Sequence, residues 1–161
     1  MNAEHVILHL ERQLASSRRL LQIVLSQNDA IRRQDVEEVL ARLGDVQQEM
    51  VKRIQLERER DQLLEQAARV LGCPPDEVTL DGLLDLLGGT AQRARELSAE
   101  LKGTLAEVAR VHGMNRVLIR QELSFLDHLL RVLSGAPQGG YALGGEQTTS
   151  PQANNLIDMR V

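Results

Sequence analysis

The feature that most constrains this chain is a set of apolar residues that recur at alternating intervals of three and four. In the first segment Ser17 and Asn28 interrupt this spacing with polar side chains, and its apolar members are Ile7, Leu10, Leu14, Leu21, Val24 and Ile31. Residues spaced in this way line one side of a helix and pair with another helix, as in a coiled coil. The pattern predicts a helix over residues 3–33.

A second helix is predicted over residues 36–71, after a link in which Asp35 is the expected N-cap and Glu38 closes a capping box. We expect one side of this helix to be apolar and to form its contact face. That side carries Val36, Leu40, Leu43, Met50, Ile54, Leu64, Ala68 and Leu71. A link this short forces the two helices into an antiparallel hairpin. Gly72 suits the left-handed position after the helix, and the proline pair behind it prevents continuation.

The rest of the chain predicts a short connector helix at 80–87, a long third helix at 91–134, and a tail. The expected fold is therefore all-α, an elongated antiparallel coiled coil or three-helix bundle with a flexible C-terminal tail. We expect residues 1–134 to form one helical domain. Residues 135–161 are rich in glycine and show no periodicity, so they bury too little apolar surface to offset their chain entropy.

Composition and charge exclude several classes of protein. Aromatic residues make up 1% of the chain, which disfavours a β-sandwich or barrel. The net charge of −4 argues against nucleic acid as a partner, since phosphate binding needs a basic face. No apolar run approaches the ~20 residues of a membrane span, and no signal peptide is evident at the start. We therefore expect a cytoplasmic protein.

Residues that could carry chemistry are few. His5 and His9 have the i,i+4 spacing of a helical zinc site, but no third ligand is near, and both are expected on the outer side of the first helix. Cys73 has acidic neighbours that disfavour a reactive thiolate. An enzyme with a metal site inside a helical bundle would use Glu-x-x-His pairs, and this spacing does not occur in the sequence. We expect no metal, no cofactor and no enzymatic activity.

The third helix is apolar over an unusually wide arc near its end. Two neighbouring rows of apolar residues run through 118–133, so this part of the helix must be covered on two sides. One interpretation is the interior of a three-helix bundle. The other is a groove for an amphipathic helix of a partner. With Tyr141 added as the only aromatic residue of the tail, the candidate binding residues are Leu118, Ile119, Leu123, Leu126, Leu130, Leu133 and Tyr141.

The order of these features resembles the FlgN-type flagellar export chaperones. The resemblance rests on Leu56 and the charged run 57–60 before Leu63 and Leu64, the stop at Gly72, and the stretch 115–119. The tail adds to it, with Tyr141 among glycines and an ending of Leu156, Ile157, Asp158, Met159 and Arg160.

This resemblance implies a cytoplasmic chaperone of the flagellar type III export system. Such chaperones hold hook-associated proteins of the hook–filament junction before secretion and deliver them to the export apparatus, without a cofactor. A homodimer is a further state that the chain could adopt. The alternative function is a structural coiled-coil tether or oligomerisation module without an export client, and the wide apolar arc at 118–133 would be of no use to such a rod.

Overall fold

The computed structural model describes residues 3–134, without the side chain of Leu80. The helices, numbered in chain order, are α1 (Ala3–Arg32), α2 (Val36–Leu71), α3 (Leu80–Leu87) and α4 (Ala91–Leu133). Two short 3-10 segments, Pro75–Glu77 and Gly88–Thr90, flank α3. No strand occurs within residues 3–134, and the all-α helical bundle predicted from the sequence is confirmed.

The chain divides after Phe125 into two compact units, Met1–Phe125 and Leu126–Val161. The first unit holds α1, α2, α3 and most of α4. The described residues of the second unit are the last two turns of α4 and Ser134. The predicted tail, residues 135–161, lies outside the described part of the chain.

The turn between α1 and α2 depends on two residues, Gln34 and Asp35. Gln34 has a φ of 57°, in the left-handed region, which reverses the direction of the chain. The Asp35 carboxylate accepts a hydrogen bond of 3.0 Å from the backbone N–H of Glu38, as predicted for an N-cap. The Glu38 carboxylate, however, pairs with Arg42 at 3.1 Å, and the Asp35 N–H donates to the carbonyl of Ala30. Only the Asp35 half of the expected capping box is therefore seen.

In the first half of α2, the side that packs on α1 is not the apolar side that the spacing predicted. Glu49, Leu56 and Ala67 are buried, whereas residues Val36, Leu40, Leu43, Met50 and Ile54 are between 41 and 70% exposed. The prediction was wrong for these five positions, because it assigned the most apolar side of the helix to the interior. Further along the same predicted side Ala68 is buried, Leu64 is half-buried and Leu71 is exposed. In the structure the contact face is partly polar, and hydrogen bonds to α1 compensate for the burial of its polar groups.

The far end of the hairpin is closed by the connector. Gly72 ends α2 with a φ of 70° and donates its N–H to the carbonyl of Ala68, as expected for this position. Thr79 caps α3 by accepting from the N–H of Gly82 at 3.1 Å. Leucines of α3 then pack on the beginnings of α1 and α4, in the buried cluster Val6, Leu84, Leu87 and Ala94.

Within the first unit, α4 runs parallel to α1. Successive contacts join Glu11 to Arg93, Arg18 to Glu100, and Asn28 to Asn115, so both helices advance in the same direction. The side of α4 that faces α1 carries the buried residues Ala94, Leu97, Val108, Val111 and Asn115. These positions keep the three–four spacing of the sequence.

Candidate functional site

The apolar side of α4 changes from buried to exposed along the helix. Up to Asn115 its residues are covered by the hairpin, and Leu118 and Ile119 are half-buried. From Gln121 to Phe125, where the first unit ends, each residue is exposed, including Leu123 and Phe125. Phe125 continues the three–four spacing of the buried residues before it, and Leu123 belongs to the neighbouring apolar row, so these positions have the pattern of a contact surface but no cover.

The described part of the second unit is apolar and exposed as well. Each residue from Leu126 to Ser134 is exposed, and apolar side chains occupy five of the positions: Leu126, Leu129, Leu130, Val132 and Leu133. Leu133 is 81% exposed. Large apolar side chains at this density are unusual on a solvated helix and mark surfaces that bind other molecules.

The candidate residues predicted from the sequence therefore lie in different environments. Leu118 and Ile119 are half-buried at the edge of the hairpin, and Leu123 is exposed in the first unit. Leu126, Leu130 and Leu133 are exposed in the second unit. Tyr141 lies outside the described residues. For the described residues from Leu123 onward, the interior of a three-helix bundle is not what the structure shows, and contact with a partner stays a prediction.

A buried cluster of amide side chains fixes the position at which α4 leaves this cover. Asn115 is 1% exposed, and its Nδ2 donates to the carbonyl of Val24 at 2.8 Å and to Oε1 of Gln27 at 3.1 Å. Its Oδ1 accepts from Nδ2 of Asn28 at 2.8 Å. Since α1 ends at Arg32, one turn beyond Asn28, α4 has no neighbour in α1 soon after Asn115. Within the first unit the cluster therefore lies close to the point where α1 ceases to cover α4.

Two residues of this exposed region were missed by the sequence reasoning. Met114 and Val117 are exposed beside the end of α1, and together with Arg32, Gly113 and Leu118 they line an open cavity of about 450 Å³. They lie off the three–four line of α4, so periodicity gave no signal for them. The only hint in the sequence is their hydrophobicity near the end of the predicted α1.

A second cavity, of about 290 Å³, lies where α1, α2, α3 and α4 meet in the first unit. Its walls are largely apolar and include Leu10, Leu64, Leu83 and Leu101. Arg53 and Glu57 also line it and lie 4.0 Å apart as an ion pair. Arg60 lines the cavity as well and pairs with Glu57 at 2.8 Å, so the lining carries two arginines against one glutamate.

A charged network inside the hairpin connects α1 to α2. Glu49 is 2% exposed and accepts from Oγ of Ser16 at 2.7 Å and from Nη2 of Arg19 at 3.1 Å. Burial alone would raise the pKa of Glu49, but the hydrogen bonds from Arg19 and Ser16 outweigh it and leave the pKa below its usual range. Arg53 donates to Oγ of Ser17 at 3.1 Å. These residues hold the hairpin together and have no substrate-facing geometry.

His9 corrects another prediction, because it is buried rather than on the outer side of α1. The residue is 7% exposed, and its Nδ1 lies 3.6 Å from Oε2 of Glu59. Burial lowers the pKa of His9, although the Glu59 carboxylate acts in the opposite direction. His5 is exposed, so the two histidines do not converge. Within the described residues no group of three His, Cys, Asp or Glu side chains could hold a metal ion.

Two other features bear on the kind of protein. Cys73 is half-buried and unpaired at the end of α2. Among the residues described, no helix is long and apolar enough to cross a membrane.

The first unit is thus a helical hairpin with a third long helix beside α1. Leu123 and Phe125 of this third helix are exposed, which places the unit in a class suited to binding other helices. A family model for the FlgN protein matches residues 1–149. The chain therefore belongs to the FlgN family, a family of flagellar export chaperones rather than of enzymes. Membership implies that hook-associated flagellar proteins are its partners. Searches of curated proteins and of solved structures gave no match.

Proposed function

We propose that this chain is a cytoplasmic chaperone that binds terminal helical segments of hook-associated proteins through the exposed apolar residues of α4. The binding residues are Leu118, Ile119, Leu123, Leu126, Leu130 and Leu133, with Tyr141 as a further anchor. The observation that supports this most directly is that Leu123, Leu126 and Leu130 are each more than half exposed while keeping helical contact spacing. Exposing three large apolar side chains in this way is unfavourable in water unless a partner covers them.

The chemistry of the client follows from this surface. An amphipathic segment with apolar residues at i, i+3, i+4 and i+7 would match the spacing on α4. A segment that is unfolded before export can form such a helix only when an apolar surface is supplied. Ordering the segment offsets part of the favourable contact energy, which keeps the complex dissociable, as delivery requires. While the segment is bound, it cannot fold or assemble prematurely.

The proposal also covers the cellular setting. A chaperone that holds proteins before secretion works in the cytoplasm and hands its clients to the flagellar export apparatus. This role requires neither catalysis nor a cofactor. The chain is also proposed to form a homodimer.

Binding of client peptides to single variants tests the proposal. The full chain is titrated into fluorescently labelled terminal peptides of hook-associated proteins, and Kd is read from anisotropy. Leu123→Ala, Leu126→Ala and Leu130→Ala should each raise Kd about tenfold, or ~1.4 kcal/mol, with unchanged circular dichroism. Tyr141→Ala should weaken binding as well. The matched control is Val70→Ala, since Val70 is an exposed apolar residue of α2 outside this surface.

Two results would count against the proposal in different ways. If the peptides bind but the three leucine variants bind as tightly as the wild type, the surface on α4 is wrongly assigned. If no terminal peptide of any hook-associated protein binds, the client class is wrong, and the coiled-coil tether becomes the better interpretation.

A further inference from the structure

The cavity at which α1, α2, α3 and α4 meet has polar groups in its wall that lack close partners among residues 3–134. We call it the junction cavity. Its volume is about 290 Å³, and each helix contributes a leucine to its largely apolar wall: Leu10, Leu63, Leu83 and Leu101. Its lining residues all belong to the first unit. In a pocket with apolar walls, a few polar groups select the ligand.

The first of these groups is the side-chain amide of Gln13. This residue of α1 lines the junction cavity and is 5% exposed. Its backbone carbonyl accepts a hydrogen bond of 2.9 Å from Oγ of Ser17, but no hydrogen bond joins its side-chain amide to another of the described residues. Buried amide side chains almost always have a hydrogen-bond partner. Gln13 therefore offers both N–H donors and a carbonyl acceptor to a molecule in the cavity.

The second group is the guanidinium of Arg53, a largely buried cation without a close anion. Its side chain is 12% exposed, and its Nη1 donates to the neutral hydroxyls of Ser17 at 3.1 Å and of Ser16 at 3.4 Å. Within residues 3–134 the nearest carboxylate oxygen is Oε1 of Glu57, which lies 4.0 Å from Nη2. A buried charge is costly unless a close counter-ion and hydrogen bonds compensate for it. Arg53 is thus suited to receive an anion.

Glu57 does not neutralise Arg53, because Arg60 holds it more closely. Oε2 of Glu57 lies 2.8 Å from Nη1 of Arg60, whose Nη2 is also 3.5 Å from Asp61. The side chains of Arg60 and Glu57 are 55% and 40% exposed, so this pair forms the rim at which the cavity opens to solvent. His9, also in the wall, is uncharged at neutral pH because burial lowers its pKa. The positive charge left inside the cavity is therefore that of Arg53.

Ser17 brings these two polar groups to the same part of the cavity. Its Oγ accepts from Nη1 of Arg53 and donates to the backbone carbonyl of Gln13, one helical turn earlier. Towards α3 the wall is apolar, since Leu63 and Leu83 pack on the buried cluster of that end of the bundle. The cavity thus has a polar end with one positive charge and an apolar end. A ligand that matches both has an anionic head and an apolar body.

We propose that the junction cavity is a binding site for a short alkyl carboxylate, whose carboxylate lies at Arg53 and Gln13 and whose alkyl chain lies among the leucines. The planar guanidinium presents parallel N–H groups that match the two oxygens of a carboxylate, and the Gln13 amide donates a further hydrogen bond. The single negative charge equals the charge of Arg53. At about 30 Å³ for each water-sized group, a cavity of 290 Å³ holds about ten non-hydrogen atoms, the size of octanoate.

Isothermal titration of the full chain with octanoate tests the site. Octanoate should bind with a Kd below about 1 mM, and octanol, which lacks the charge, and acetate, which lacks the chain, should each bind at least about tenfold more weakly. Arg53→Met keeps an apolar stem but removes the charge, so it should raise the Kd of octanoate at least about tenfold and leave that of octanol unchanged. Arg42→Met, at a half-buried arginine of α2 outside the cavity, is the matched control. If circular dichroism shows that Arg53→Met is unfolded, Gln13→Leu replaces it.

Methyl resonances of the leucines in the same titration locate the bound octanoate. The resonances of Leu10, Leu83 and Leu101 should shift, and those shifts should disappear in Arg53→Met. Shifts confined to the exposed leucines of α4 would mean that octanoate binds the open surface instead, which would overturn the proposal. Equal octanoate binding by Arg53→Met and Arg42→Met would overturn it as well, and so would the absence of binding at millimolar octanoate. None of these measurements involves a client peptide, so this proposal and the proposed function can fail separately.

Discussion

Nδ2 of Asn28 donates a hydrogen bond of 2.8 Å to Oδ1 of Asn115, which joins the end of α1 to the middle of α4 inside the first unit. Both residues stand at positions where the three–four spacing would place an apolar side chain. A polar residue at such a position fixes the register of packed helices at some cost in stability. Here the register determines where α4 leaves the cover of α1, so this pair links the packing of the core to the exposed surface.

We expect Asn115→Ala to lower the free energy of unfolding by about 1–3 kcal/mol, because it leaves the buried amide of Asn28 without its acceptor. The loss is read from the midpoint of urea unfolding at constant m-value. Gln121→Ala, at an exposed position of the same helix, should change stability by less than about 0.5 kcal/mol.

The double variant Asn28→Leu/Asn115→Leu separates the contribution of the Asn28–Asn115 hydrogen bond from that of the other contacts of these two residues. If this hydrogen bond contributes most of the stability, the double variant should lose less free energy of unfolding than the two single variants lose together. The reason is that both partners of the bond are removed at once, so neither is left buried without a partner. Strict additivity would show that the two amides act independently.

The ends of the helices were predictable because local chemistry determines them. The limits expected at 33 and 134 lie one residue from the observed ends at Arg32 and Leu133, and α2 spans Val36–Leu71 in both. Asp35 and Gly72, the predicted N-cap and left-handed stop, act within one turn of themselves. Thr79 does the same as the N-cap of α3, although the sequence analysis did not single it out. Such signals do not depend on which helix packs where.

The contact face of α2 was not predictable, because it depends on partners far along the chain. Periodicity assigns Leu40 to the interior and gives no signal for the burial of Glu49. In the structure Glu49 is buried since Ser16 and Arg19, about thirty residues earlier, supply its hydrogen bonds. The same reasoning misplaced His9, which Glu59 of α2 faces. For the candidate site, spacing identified the exposed residues of α4 but not their neighbours Met114 and Val117.

Removal of the Glu49 carboxylate tests the buried network of the hairpin. Glu49→Ala leaves Ser16 and Arg19 without their acceptor, and we expect a loss of about 1–3 kcal/mol in the free energy of unfolding. Arg19 is half exposed, which keeps the loss below that of a fully buried pair. Glu65→Ala is the control, because the Glu65–Arg69 pair is exposed on the same helix and is expected to contribute less than about 0.5 kcal/mol. Equal effects of the two substitutions would contradict this account.

Stability should fall as the solution becomes acidic, because burial lowers the pKa of His9 below its usual value of 6.5. Below pH 6.5 the unfolded chain binds a proton at His9 that the folded chain still excludes. The unfolded state is then favoured, by at most about 1.4 kcal/mol per pH unit for one proton, until the pH reaches the lowered pKa of the folded state. Urea midpoints between pH 8 and pH 5 measure this slope. His9→Gln should flatten it, whereas His5→Gln, at an exposed position, should leave it unchanged.

Glu49 acts in a separate and more acidic window. Its pKa lies below the usual 4.5 in the folded chain, so its contribution to stability is complete above that value and is lost as the pH falls further. If the free energy of unfolding of His9→Gln still falls between pH 7 and pH 5, the fall comes from a group other than His9 and Glu49.

Truncation of two leucines on α4 measures the difference between its covered and open parts. Leu97 is 2% exposed against the hairpin, and Leu130 is 66% exposed. Leu97→Ala leaves a cavity in the core and should lower the free energy of unfolding by about 2–5 kcal/mol. Leu130→Ala removes little buried surface, so we expect a change of less than about 0.5 kcal/mol in the same urea experiment. Both variants are compared at one low protein concentration, so that self-association does not contribute. A loss of 2 kcal/mol or more for Leu130→Ala would mean that this side chain packs against another part of the free protein, and the open surface of α4 would then not be available to a client.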